Sequence, residues 1–257
     1  GAMLKEASFR GSIFSSAGED RRLGTFDDWI ADLSGADLQG ADLTGAILTN
    51  VDLNRANLMR ASLNQANLSY ARLIGTNLSS TQMIGANLRE AILENASLTG
   101  ADLGAAQLSR ADLQGARLGE VRATGAEFAF ANLSQSNWQG AALSTANFSH
   151  ANLQQADLSS TQLTGANLRN AQLQNANLSY ANLSTADLRG ANLTGADFQG
   201  VTLAAPQSTT SDQFLQPLST VASTAKISGV NFAEVKNLNP SQIEFICRQG
   251  GYHPQCR

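Results

Sequence analysis

Apolar and polar positions follow one another along this chain with a period of five. From Ala31 to Ala205 the order is small apolar, polar, large apolar, polar, polar, in 35 consecutive pentads without an insertion. The first position is Ala in 28 of them and Val, Thr or Ser in the others. The third is Leu except at Met83, Ala123, Phe128, Trp138, Phe148 and Phe198. An amphipathic helix needs apolar residues about every 3.6 positions and a strand needs strict alternation. A period of five fits neither as a long element. It fits a chain that turns a corner in every repeat, with positions one and three inward and the others outward. Ala beside Leu lets successive layers interdigitate at close packing. Gly occupies the fifth position in 13 pentads and Asn in four more, residues that tolerate the left-handed backbone of tight turns. No Pro precedes Pro206, so hydrogen-bonded ladders between layers run without a missing donor.

The unit A-(D/N)-L-x-x appears as Ala-Asp-Leu-Ser-Gly at 31–35, Ala-Asn-Leu-Ser-Tyr at 66–70 and Ala-Asn-Leu-Thr-Gly at 191–195. It resembles the signature of the pentapeptide-repeat proteins. The resemblance covers about two-thirds of the chain. It implies an all-β fold: a right-handed quadrilateral parallel β-helix with four pentads per coil, Leu or Phe stacked inside, and a short C-terminal α-helical cap. About nine coils at about 4.8 Å each predict a rod about 40 Å long.

Four pentads make 20 residues, so residues 20 apart stack. Phe128 and Phe148 then lie on one face in adjacent coils. Ala123 and Trp138 are irregular core positions in neighbouring coils, and the Trp138 ring is expected to fill volume that Ala123 leaves. Asn132, Asn152 and Asn192 recur at the second position of one face, interrupted by Gln172, a spacing that suits coil-to-coil hydrogen bonds.

The expected organisation has three parts. Residues 1–30 hold three weaker pentads, at 2–6, 7–11 and 12–16, and an inserted loop at 17–30. In that loop Thr25 and Asp28 suit the cap of a short helical turn, and Phe26, Trp29 and Ile30 would cover the open end of the core. Residues 31–205 form the β-helix. Residues 206–257 form a Ser/Thr/Gln-rich linker, over 206–227, and a helical cap, with a stray pentad at 230–234. The helix signals are Asn239 at the N-cap, Pro240 at the first helical position and Gln242 at the third. Leu238 and Ile243 have the spacing of a hydrophobic staple, Ile243, Ile246 and Cys247 share a face, and Gly250 and Gly251 end the helix. The stretch Val235 to Ile243 is similar to the helical tail of many cyanobacterial members of the family. The opening Gly-Ala-Met reads as a cloning remnant, so the lack of an export signal carries no information.

Cys247 and Cys256 are the two cysteines, nine positions apart across the Gly-Gly turn. They are candidates for a disulfide, with free thiols and a metal pair as alternatives. A disulfide would place the protein in an oxidising compartment, a periplasm or a thylakoid lumen, and free thiols would fit the cytoplasm. Lumenal members of the family resemble this chain in repeat and tail.

Composition narrows the function. Charged residues are 15% of the chain and the net charge is −4, which is not the balance of a nucleic-acid-binding protein. No apolar run reaches the roughly 18 residues of a membrane span. His150 and His253 lie far apart in sequence, and neither has metal-ligand spacing to a Cys or carboxylate. No Ser or Thr is paired with a base in a recognisable motif, and the glycines follow the period rather than a phosphate loop. Asp32, Asp37 and Asp42 fall on successive faces of one coil and cannot converge on an ion. Only Asp32 and Asp52 stack. No catalytic residue, metal or cofactor is expected.

Three functions are weighed. The first is a non-catalytic scaffold or protein-interaction module, a monomer with an unidentified protein partner. Outward Met59, Ile74 and Ile92, on two adjacent faces, are its candidate patch. The second is a DNA mimic acting on gyrase, as the family's quinolone-resistance members are. Against it, ten second positions are acidic, twelve are Asn, and nine Arg decorate the coils. The third is a β-helix enzyme, which would need acids and bases clustered on one face.

Overall fold

A computed structural model describes residues 3–16, 29–204 and 224–256. The chain winds into a four-sided parallel β-helix. Each second-position residue forms a parallel bridge with the residue 20 positions on, from Asp32–Asp52 through Asn182–Thr202. The expected four pentads per coil are therefore present. The all-β expectation needs one refinement. Each pentad contributes a single bridged residue rather than a strand, because a turn follows two residues later. The two short strands are β1 (Ser15–Ser16) and β2 (Trp29–Ile30), and the helix is α1 (Pro240–Arg248).

The repeat can be derived from where its five backbone N–H groups go. In the coil around Leu113, the first-position Ala116 donates to Leu113 O at 3.0 Å, closing the turn. The second-position Asn132 donates down to Ala111 O at 3.0 Å, and Leu113 donates up to Asn132 O at 2.7 Å. The fifth-position Gly115 donates up to Ser134 O at 2.9 Å. That leaves the fourth position. Gln114 N–H donates to the Asp112 side chain, Oδ1, at 3.0 Å. A buried N–H without a partner costs free energy comparable to a lost hydrogen bond. This is why position two is Asp or Asn: its side-chain oxygen is the acceptor for a donor the ladder cannot reach. Where position two is Arg72 or Gln82, an Asn in the coil below does the job. Ile74 N–H donates to Asn54 Oδ1 at 2.8 Å and Ile84 N–H to Asn64 Oδ1 at 2.9 Å.

Every fifth position from Gly35 to Gly200 has a positive φ, whatever residue stands there. Tyr70 sits at 61° and Phe130 at 62°. Left-handed backbone costs an ordinary residue about 1–2 kcal/mol. The corner geometry is thus set by the ladder, and Gly only relieves it.

The core is a column of first- and third-position side chains, almost all fully buried. Phe128 and Phe148 stack at 5.0 Å with planes 3° apart, as the 20-residue spacing predicts. Trp138 stands edge-on to both, with centroids at 5.2 and 5.8 Å. Its indole N–H donates to Ser136 Oγ at 2.7 Å, and Ser136 donates to Leu133 O. Ser136 and Trp138 are one feature: the first-position hydroxyl satisfies the polar atom that a core Trp brings with it. Ala123 is fully buried in the coil that carries Phe128.

Both ends carry interrupted coils. Met3, Ser8 and Ile13 bridge Asp37, Asp42 and Ile47, so the three weak N-terminal pentads lie under the first full coil. β1 and β2 pair antiparallel where the insertion leaves and returns. Residues 17–28, with Thr25, Phe26 and Asp28, lie outside the described residues. So do 205–223, most of the expected linker. Thr224 pairs antiparallel with Ala204, and Lys226 and Lys236 then bridge Asp187 and Asp197. The ladder therefore resumes before the expected end of the linker at 227, with Ala-Lys-Ile-Ser-Gly at 225–229 as a further pentad. Tyr252 bridges Asn231 above it.

The second-position side chains form part of the expected ladder, which begins on an acid and ends at Asn152; Asn192 accepts from Thr194 of its own pentad instead. Asn132 Nδ2 donates to Asp112 Oδ1 at 3.0 Å, and Asn152 Nδ2 to Asn132 Oδ1 at 3.2 Å. Asn132 Oδ1 also accepts from Ser134 N–H and Oγ. Replacing Asn132 by Ala removes these at once and strands a half-buried donor, so Asn132→Ala is expected to cost about 2 kcal/mol in urea unfolding. Asn132→Asp keeps the acceptor but sets a second carboxylate against Asp112, and should cost about as much.

Candidate interaction surface

The outer surface consists of four faces of second- and fourth-position side chains, separated by four corners of fifth-position side chains. The faces are pinned. Besides the Asp112 ladder, Asp37–Asn57–Asn77 and Glu127–Asn147–Asn167 run continuously from coil to coil. Five of the ten second-position acids are also neutralised. Lys5, Arg10, Arg72 and Arg122 pair with Asp37, Asp42, Asp52 and Asp102 at 3.0–3.7 Å. Arg189 and Arg169 both reach Asp187. The hydrogen bonds from Arg189, set against partial burial, hold that carboxyl down at about 2.

Of the expected patch, Met59, Ile74 and Ile92 are each half-buried rather than exposed. Ile74 lines a shallow open groove with Ser34, Asp52, Asn54, Arg55 and Arg72, which neither Met59 nor Ile92 lines. Met83, Ala123, Phe128, Trp138, Phe148 and Phe198 are all in the core. Cys247 and Cys256 are joined, with Cα atoms 5.3 Å apart, fastening the chain end to α1. His253 accepts from Gln255 N–H through Nδ1. Among the described residues no three His, Cys, Asp or Glu side chains gather as a metal set.

Sequence reasoning missed two things. The first is how the tail closes the rod. Asn239 and Gln242 form a capping box on α1, and Gln242 Nε2 also donates to Phe198 O and Val201 O at 3.1 and 3.0 Å. The buried cap residue thus satisfies carbonyls of the last coils. Phe232 stands edge-on to Phe198 at 5.8 Å, and Ile246 is fully buried. Gly251 lies so close that an added Cβ would come within 2.8 Å of Ile246.

The second is a corner. Fifth-position residues 20 apart form columns, and one column joins Tyr70, Glu90, Arg110, Phe130, His150 and Asn170. Phe130 and His150 stack with centroids 4.8 Å apart and planes at 4°. The Arg110 guanidinium lies 6.0 Å from the Phe130 centroid, and Asn170 Nδ2 is 3.3 Å from His150 Nε2. The spacing was visible in the sequence; it becomes a signal only when the fifth positions are aligned by coil.

The family model for pentapeptide repeats matches in 8 copies, covering residues 31–65, 56–95, 66–104, 106–134, 126–165 and 166–203. No curated protein matches the chain significantly. Among solved structures it is similar to HetL, a pentapeptide repeat protein involved in heterocyst differentiation regulation in the cyanobacterium Nostoc. The identity is 31% over 77% of this chain and 85% of that one, with a TM-score of 0.53. It is also similar to QnrB1, a plasmid-mediated fluoroquinolone resistance protein, at 24% identity over 63% and 84% of the two chains, TM-score 0.48. A pentapeptide repeat protein from the thylakoid lumen of Arabidopsis thaliana is 26% identical over 52% and 81%, TM-score 0.38. The likeness to HetL makes the solenoid a right-handed β-helix with a short helix.

Proposed function

The chain belongs to the pentapeptide-repeat family, and we propose that it is a non-catalytic scaffold that holds a protein partner against its faces in an oxidising compartment. The observation that carries this reading is the pinning of the surface. Side chains tied into ladders lose little conformational freedom on binding, so a partner meets a preorganised face. The Cys247–Cys256 pairing supports a periplasm or a thylakoid lumen over the cytoplasm. Neutralisation of five of the ten second-position acids by Lys or Arg weakens the gyrase alternative, which needs a continuous negative surface.

The test is capture by the intact chain as bait in extracts of the native compartment, run beside a gyrase supercoiling assay. A stoichiometric protein complex and unimpaired supercoiling are expected. Inhibition of gyrase at comparable concentration would replace this reading by the DNA-mimic one. Denatured, unreduced protein from that compartment is expected to titrate no free thiol, and two free thiols would overturn the compartment.

A further inference from the structure

We infer that the Cys247–Cys256 disulfide is a redox latch. A dithiol oxidoreductase opens it in the folded protein, and the last pentad then leaves the rod while the coils beneath stay folded. The inference goes beyond the scaffold reading and does not depend on it.

The latch holds a terminating pentad. Residues 251–255, Gly-Tyr-His-Pro-Gln, repeat the bonding of the ladder. Tyr252 N–H donates down to Val230 O at 2.8 Å, and Phe232 N–H donates up to Tyr252 O at 2.8 Å. Cys256 N–H closes the turn on His253 O at 2.9 Å. The fourth position, whose N–H elsewhere needs a side-chain acceptor, is Pro254 and carries no N–H. The fifth, which elsewhere donates to the coil above, is Gln255, whose N–H donates to His253 Nδ1 at 3.2 Å. These two positions are thus settled without a coil above them.

Among the described residues this pentad stands alone in its layer. It follows α1, whereas a pentad inside the rod has pentads on both sides. The two Tyr252 bonds and the bond from Gly251 N–H to Ile246 O at 2.9 Å hold its near end. The disulfide holds its far end. In a solenoid each layer depends on itself and its neighbours, so releasing the outermost one leaves the others standing. What it uncovers is the ladder edge at Val230 and Phe232, together with the buried Ile246 against which Gly251 lies.

Two observations give the direction of opening. Cys247 is half-buried and lines an open groove of about 340 Å³ with Pro240, Ile243, Glu244, Arg248 and Gln255, which Cys256 does not line. Cys247 also stands in the last turn of α1, where the helix dipole disfavours a thiolate, while Cys256 lies outside the helix. A disulfide breaks by attack on one sulfur and departure of the other, and the more acidic thiol departs faster. Both point to attack at Cys247. The carrier's thiolate bonds to Cys247 Sγ, and the S–S electron pair leaves on Cys256 Sγ, which takes up a proton. The carrier's second thiol then displaces Cys247, which leaves as a thiol. The carrier ends as a disulfide, and two electrons and two protons have passed to the protein. In an oxidising compartment the latch rests closed.

The test incubates the intact native protein with thioredoxin, its reductase and NADPH. Thiols are counted by alkylation and mass spectrometry without denaturant. Two are expected, with far-UV circular dichroism unchanged. Amide exchange should then quicken about 10- to 100-fold at Phe232 and Tyr252, the protection expected of a cross-link closing so short a loop. At Leu113 it should stay within about two-fold. Cys256→Ser should exchange at Phe232 like the reduced wild type and ignore the carrier. Thiols that appear only after denaturation overturn the latch, as does unchanged exchange at Phe232 in the reduced protein. Exchange that rises equally at Leu113 also overturns it, because the bridge would then be a staple of the whole fold.

Discussion

Leu113→Asp is expected to unfold the protein or send it into aggregates. Leu113 is fully buried in mid-rod, and its backbone N–H is bonded upward to Asn132 O at 2.7 Å. A carboxylate there has apolar neighbours above, below and across, and no cation within the core. Burying it unpaired costs about 3–5 kcal/mol or more, beyond the packing lost with the Leu. Total stabilities are of order 5–15 kcal/mol, so little is left. The damage also spreads, because each coil is the template for the next. Gln114→Asp, one residue along, is the control. Its side chain is exposed, and its backbone N–H already bonds to Asp112. The neighbouring like charge should cost about 0.5 kcal/mol at most. The measurement is denaturant unfolding followed by far-UV circular dichroism. Equal damage from both variants would mean that inward and outward positions are wrongly assigned.

The inward assignment was legible because every coil repeats the same decision. Position three is Leu or an aromatic nearly throughout, and a one-residue slip would turn every layer inside out. The role of position two was only half legible. Its Asp/Asn preference was plain, but a preference for outward polar residues looks the same as a requirement for an acceptor. The N–H of residues such as Gln114 and Ile74 decides between them, and backbone accounting needs the coil above and below. Ser136 and Trp138 looked like separate departures for a similar reason, since their link is a side-chain hydrogen bond between two inward positions of one pentad. The re-entry at 225–229 was hidden because Lys226 and Ile227 stand where Asp or Asn and Leu would be expected. The patch of Met59, Ile74 and Ile92 came from counting apolar residues at outward positions. Outward second and fourth positions are mostly half-buried, as Met59, Ile74 and Ile92 are, so an outward place in the repeat does not translate directly into exposure.

The tail shows how an end differs from a repeat. Inside the rod, each first-position carbonyl accepts from a second-position N–H of the coil above, as Ala111 O does from Asn132, and the last coil has no such coil above it. Gln242 supplies the missing donor at Val201 O and a second one to Phe198 O, which also accepts from Val201 N–H. One amide group accepts from Asn239 N–H at 2.7 Å through Oε1, and donates through Nε2 to Phe198 O and Val201 O. The same side chain closes the capping box of α1 and anchors α1 to the solenoid. Gln242→Met is close to isosteric and keeps the apolar contact. It leaves Val201 O and the N-cap Asn239 N–H without their side-chain partner and takes one of two donors from Phe198 O. At about 1 kcal/mol for each lost bond to a buried group, the variant should lose about 2–4 kcal/mol. Ser241→Ala, at the neighbouring exposed position, should be near neutral. The loss should also be local first. Amide exchange should quicken at Val230, Phe232 and Tyr252, whose bonds hold the last layers together, before it quickens at Leu113. Chains so loosened would present bare ladder edges and are expected to associate end to end at high concentration, read by light scattering. A Gln242→Met protein as stable as wild type, with unchanged exchange at Phe232, would show that α1 merely rests on the rod and does not close it.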